Sequence, residues 1–168
     1  TIKNTPFQGI DAVLSASPYY NKPSQEGIYQ HYKAIAEVCP VPILLYNVPS
    51  RTGTNMTAAT TLRLSKHPNI IGIKEASGDL LQCMEIAKGK HSDFLIISGD
   101  DILTLPIMAA GAVGVISTVA NGFPKTMSHM VDLALQGNGA AARPHAWALL
   151  PIDRLIGQAG NPVGTKQL

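Results

Sequence analysis

Five short apolar runs, residues 12–16, 42–48, 70–73, 94–98 and 114–120, are spaced too widely for hairpins. They are mostly continuous rather than alternating, which is how strands covered on both faces read. Segments of helical period lie between them. Ser24 is placed to cap a helix that carries Ile28, Tyr32, Ile35 and Ala36 on one face and ends near Cys39-Pro40. Further helices are expected over 57–66 with Leu62 and Leu64 buried, and over 79–88 with Leu80, Met84 and Ala87 on one face. Three more follow over 102–110, 125–135 (stopped at Gly137) and about 140–156, the last kinked at Pro144 and Pro151. Strand, helix, strand with short loops means right-handed βαβ units and a parallel sheet. The choice is between an open doubly wound sheet and part of a (β/α)8 barrel. No GxGxxG or GxxxxGK[ST] supplies the phosphate turn of the first. A whole barrel takes about 250 residues, whereas five strand-helix units fit in these 168. One domain over residues 1–168 is expected.

Charge narrows the partners. Thirteen Lys and Arg against 11 Asp and Glu leave a net charge of +2, with no basic run or acidic tail. Neither nucleic acid nor a membrane surface is indicated. Cys39 and Cys83 form no CxxC pair, so a reducing cytoplasm is the expected compartment. The longest run without a charged or polar residue, 105–116, falls short of the roughly 20 needed to span a bilayer. Thr1-Ile2-Lys3-Asn4 is no secretory signal and reads like the interior of a longer protein.

In an α/β fold, functional side chains gather where strands end at their carboxyl edge. Those edges here deliver Ser17-Pro18-Tyr19-Tyr20-Asn21, then Tyr46-Asn47 leading to Arg51, then Lys74-Glu75, Ser98 to Asp101, and Ser117 to Asn121. Tyrosines, an arginine and a lysine on one rim suit a carbonyl substrate bearing a carboxylate. Arginine holds a carboxylate bidentately, phenols relay protons, and a desolvated lysine forms a Schiff base. Each residue also has a plainer reading. Lys74 can be a strand-end charge that snorkels to water, although Gly72, two residues back on the same face, leaves room beside it and favours the catalytic reading. Tyr46 can be a half-buried aromatic, Arg51 a solvated loop residue, and Asp100-Asp101 the cap of the next helix. His31, His67, His91, His129 and His145 share no metal-ligand spacing such as HExxH and read as surface. No GxSxG marks a serine hydrolase.

Taken together, "SPYYNKPSQEG", "YNVPSRTG", "IIGIKEASG", "ISGDD" and "GVISTVAN" are far more specific than any one of them. In this order they resemble the dihydrodipicolinate synthase branch of the pyruvate-dependent class I aldolases, the family that includes N-acetylneuraminate lyase. The resemblance implies an α/β fold, a partial (β/α)8 TIM barrel comprising about the last five strand-helix units. The first three units, and with them a Gly-Thr-Thr-Gly loop that binds the pyruvate carboxylate, lie outside these residues. It further implies that Lys74 forms an imine with pyruvate and that Tyr46 relays protons. Tyr20 extends the relay across a dimer interface, Arg51 receives the carboxylate of the second substrate, and main chain around Gly99 and Ile116 lines the pocket. The implied reaction condenses pyruvate with aspartate 4-semialdehyde to 4-hydroxy-tetrahydrodipicolinate, in lysine and diaminopimelate biosynthesis. It uses no metal, nucleotide or other cofactor, and the expected assembly is a homo-oligomer, dimer or tetramer. Two alternatives stand beside it: a sugar-acid aldolase, against which Arg51 argues, and a non-catalytic truncated fragment.

Overall fold

Strands β1 (Val13–Ala16), β2 (Ile43–Asn47), β3 (Ile70–Glu75) and β4 (Leu95–Ser98) form one sheet whose spatial order is their order in the chain. The computed structural model describes residues 2–167. β1 pairs parallel with β2, and β2 with β3, so that Ala16 faces Tyr46 and Tyr46 faces Lys74. The continuous apolar run does what it implies at the centre of β3, where the neighbours Gly72 and Ile73 are both buried, whereas β2 alternates fully buried Ile43 and Leu45 with half-buried Leu44 and Tyr46. β1 departs from the expectation: it is an edge strand, and Leu14 is 41% exposed.

The chain forms two compact units, the first running through Ile97 and the second from Ser98. In the first, Ser24 caps α1 (Gln25–Val38) by accepting from the Gly27 N–H, as expected. Ile28, Tyr32 and Ala36 are its buried face. Thr57 caps α3 (Ala58–Leu64), which follows the four-residue α2 (Pro49–Thr52). Leu62 is half-buried rather than buried, and its Cδ1 occupies the place a Cβ on Gly89 would need. Asp79 caps α4 (Leu80–Gly89) through the Gln82 N–H at 3.0 Å. The face expected for this helix is wrong. Leu80 and Met84 are exposed, and Gln82, Cys83 and Ile86 are buried. The inward Gln82 has buried hydrogen-bond partners, which removes the cost of sinking an amide.

The second unit holds α5 (Thr104–Ala109), α6 (Pro124–Leu135) and α7 (Gly139–Ala159) around Val119, Met127, Met130, Ala142, Leu149 and Ile156. The fifth strand expected over 114–120 is reduced to a single parallel bridge between Ser98 and Val115. Beyond it the chain turns into a 3₁₀ turn, Val119–Asn121, because the Thr118 and Val119 N–H groups donate to Asp101 Oδ2 at 2.9 and 3.0 Å. α7 runs through both prolines as one helix, each at an exposed position where water can reach the carbonyl it frees. Among the described residues no helix is long and apolar enough to cross a membrane.

Candidate active site

Adjacent parallel strands in this register put two side chains on one face at their carboxyl ends. Tyr46 is the penultimate residue of β2, before Asn47, Lys74 is the penultimate residue of β3, before Glu75, and the two are direct partners. Lys74 Nζ lies 4.4 Å from the centroid of the Tyr46 ring. Both side chains are half-buried, which leaves each reachable from solvent. Burial pushes the Tyr46 phenol above its ordinary range, and the charge of Arg51 pulls it back. Arg51 is exposed on α2, a turn that buries Thr52 and is closed by Gly53 in the left-handed region at φ 73°.

Gly72 does not leave open room beside Lys74. A Cβ there would stand 2.6 Å from the Leu95 carbonyl oxygen and 2.9 Å from Leu44 Cδ2, so the space is already filled. The missing side chain lets β3 and β4 approach.

Tyr20 follows β1 with φ 69° and is 86% exposed, beside Tyr19 at 72%. Gly99 and Ile116 belong to the second unit. Gly99 is half-buried after β4, and Ile116 donates its N–H to the Ser98 carbonyl at 3.0 Å. Asp100 caps the turn before α5 through the Leu103 N–H at 3.0 Å, whereas Asp101 serves Thr118 and Val119 instead. His91 and His129 are exposed, while His31, His67 and His145 are half-buried. Among the described residues no group of three or more His, Cys, Asp or Glu is arranged to hold a metal ion.

Sequence reasoning passed over one feature. On the opposite face of the sheet Asn47 and Glu75, each next to a rim residue, are fully buried and bonded to each other at 3.1 Å. Their only signal was an amide and a carboxylate at equivalent strand ends.

The model of the dihydrodipicolinate synthetase family matches residues 3–168. Two similar proteins are 4-hydroxy-tetrahydrodipicolinate synthases. That of Cytophaga hutchinsonii is 53% identical over 99% of this chain and 56% of its own length. That of Phocaeicola vulgatus is 55% identical over 100% of this chain and 57% of its own. Among solved structures, the chloride-inhibited dihydrodipicolinate synthase of Acinetobacter baumannii in complex with pyruvate matches at TM-score 0.91 and 40% identity, covering 95% of this chain and 55% of that one. Dihydrodipicolinate synthase of Aquifex aeolicus gives TM-score 0.91 and 38% identity, covering 94% and 54%. The chain thus spans about half the length of its relatives, in keeping with a partial barrel. A parallel α/β sheet, a lysine and tyrosine paired on its rim and a match over nearly every residue agree, and the chain belongs to the dihydrodipicolinate synthetase family.

Proposed function

We propose that Lys74 forms an imine with pyruvate, and that the protein containing this chain condenses it with aspartate 4-semialdehyde to 4-hydroxy-tetrahydrodipicolinate. The observation that carries this reading is the juxtaposition of Lys74 Nζ and the Tyr46 ring at the carboxyl ends of paired strands. The neutral amine of Lys74 adds to the ketone carbon, the carbonyl oxygen leaves as water after protonation, and a protonated imine remains. That cation accepts the electron pair released when a methyl proton departs, giving an enamine. The enamine carbon attacks the aldehyde, and cyclisation through the substrate's own amine frees Lys74. Tyr46 is the phenol within reach to relay protons. Arg51 offers a fork of donors to the carboxylate of the second substrate.

All covalent chemistry in this scheme uses the chain's own amine, so no cofactor is invoked. Tyr20 and Tyr19 are assigned to a contact with a second copy, through which Tyr20 extends the relay; their exposure supports this. A sugar-acid aldolase would share Lys74 and differ only in the aldehyde. Arg51 and the names of the relatives favour the synthase.

The test is borohydride reduction in the presence of pyruvate, followed by peptide mass spectrometry. A pyruvate-sized gain on the peptide containing Lys74, lost in Lys74→Ala, is expected. The same gain on a different lysine would make Lys74 a strand-end charge.

A further inference from the structure

Glu75 is fully buried directly after the proposed nucleophile, and its oxygens only accept. Asn47 Nδ2 donates to both at 3.1 Å, the Ser77 N–H to Oε1 at 2.7 Å and Gln82 Nε2 to Oε2 at 3.0 Å. Asn47 uses its own Oδ1 for the Met56 N–H at 2.9 Å, which aims its amide nitrogen at Glu75 and at Asn55 Oδ1, 2.7 Å away. Asn55 Nδ2 donates in turn to Gln82 Oε1 at 2.9 Å. Asn47, Asn55, Gln82 and Glu75 therefore form a closed ring. Its direction is set by its one acceptor-only member.

The ring touches every part of the proposed chemistry through the main chain. Asn47 follows Tyr46, and Glu75 follows Lys74. Residues 48–55, which carry Arg51, form a loop whose two ends are fastened together where Met56 meets Asn47. Gln82 adds a second hold on that closure by donating to the Met56 carbonyl at 3.2 Å, and Ala76 N–H donates to the Asn47 carbonyl at 2.9 Å.

We propose that Glu75 is a positioning residue, with Asn47 as its lever: the ring holds the lysine, tyrosine and arginine in one mutual arrangement from behind the sheet. This inference rests on the function proposed above. It touches no substrate, so its effect is on placement, where an error of about 1 Å costs on the order of 100-fold in rate.

Glu75→Gln is the direct test, because it sets a second amide nitrogen against those of Asn47 and Gln82. Two quantities are measured on the protein containing this chain: the saturating rate of pyruvate trapping by borohydride at Lys74, with its half-saturating concentration, and amide hydrogen exchange at Met56. The saturating rate is expected to fall about 10- to 100-fold, with little change in the half-saturating concentration. Met56 should exchange at least roughly tenfold faster as its protected state loses hold. The conservative variant Glu75→Asp keeps an acceptor-only member at position 75. It should keep more of the trapping rate and of the Met56 protection than the isosteric Glu75→Gln, which ties the effect to the carboxylate rather than to side-chain size. Parental trapping and exchange in Glu75→Gln, or a Glu75→Asp no better than Glu75→Gln, would overturn the inference while leaving imine formation intact. If Glu75→Gln gives no soluble protein, Asn55→Ala removes an exposed ring member instead. Slower trapping with faster Met56 exchange would support the role, and parental values would overturn it. A parent protein containing this chain that takes up no pyruvate at Lys74 fails the functional reading itself, and this one with it.

Discussion

Replacing Gly72 by alanine is the sharpest test of how the rim is built. The added Cβ would lie 2.6 Å from the Leu95 carbonyl oxygen and 2.9 Å from Leu95 Cβ, against an ordinary contact of 3.4 Å or more. The shortfall at the oxygen is 3.4 − 2.6 = 0.8 Å. Rotation of a side chain cannot relieve it, because the obstructing atom is main chain. β3 and β4 must separate, and a ladder bond near 2.9 Å stretched by that amount passes out of hydrogen-bonding range. Overpacking of this kind costs about 1–3 kcal/mol, and a weakened ladder bond adds about 1 kcal/mol. For a chain of this size each kcal/mol is worth about 2–4 °C, so calorimetry should show the melting temperature falling by about 5–15 °C. Gly114→Ala, where a Cβ meets nothing within 4 Å, is the control and should melt close to the parent. A Gly72→Ala melting within about 1 °C of the parent would refute the reasoning. So would full rescue by adding Leu44→Ala, since that removes only the side-chain obstacle.

Three other outcomes are expected. Burial, reinforced by the charges of Glu75 and Asp79, pushes the Cys83 thiol up to about 12, and Cys39 is buried too; neither should react with an aromatic disulfide at pH 8 unless the protein is unfolded, and rapid reaction would contradict their placement. Burial, then the charges of Asp101 and Asp100, raises the Asp153 carboxyl in the folded state. Folding then favours its protonated form, so Asp153 costs stability once pH rises through the raised value and costs nothing below the unfolded value of about 4. Asp153→Asn should therefore raise the melting temperature at pH 7, with the gain vanishing near pH 3; a gain that persists in acid would place its cause elsewhere. Because Arg51 lowers the Tyr46 phenol, Arg51→Ala should move its ultraviolet titration upward, read as the difference from the same protein carrying Tyr46→Phe. An unchanged midpoint would separate Arg51 from this site.

The rim was legible in sequence because Lys74 and Tyr46 sit at the ends of apolar runs, and a parallel sheet brings such ends to one edge. The machinery behind it was not. Gln82 looks like a surface residue in a helix that also offers Leu80 and Met84, so hydropathy chooses the wrong face; its partners Glu75, Asn55 and Met56, all on other elements, explain its burial. The fifth run failed for a similar reason. Its second half is bent into a helical turn by a carboxylate 17 residues upstream, and no local pattern in 114–120 records Asp101. Local periodicity reports which segments are buried; distant polar side chains decide how they end.

The order of the sheet bears on how the chain is made. Because β1, β2, β3 and β4 stand in space as they stand in sequence, no strand has to be inserted between two that already pair. During synthesis, at about 5–20 residues per second, each new strand can be laid on an edge that the ribosome has already released, with its helix folding behind it. Loop closure then spans only one strand-helix unit at a time, which keeps its entropic cost nearly constant along the sheet. A nascent chain of this kind grows as a wall does, by courses, and its exposed edge always awaits the next strand.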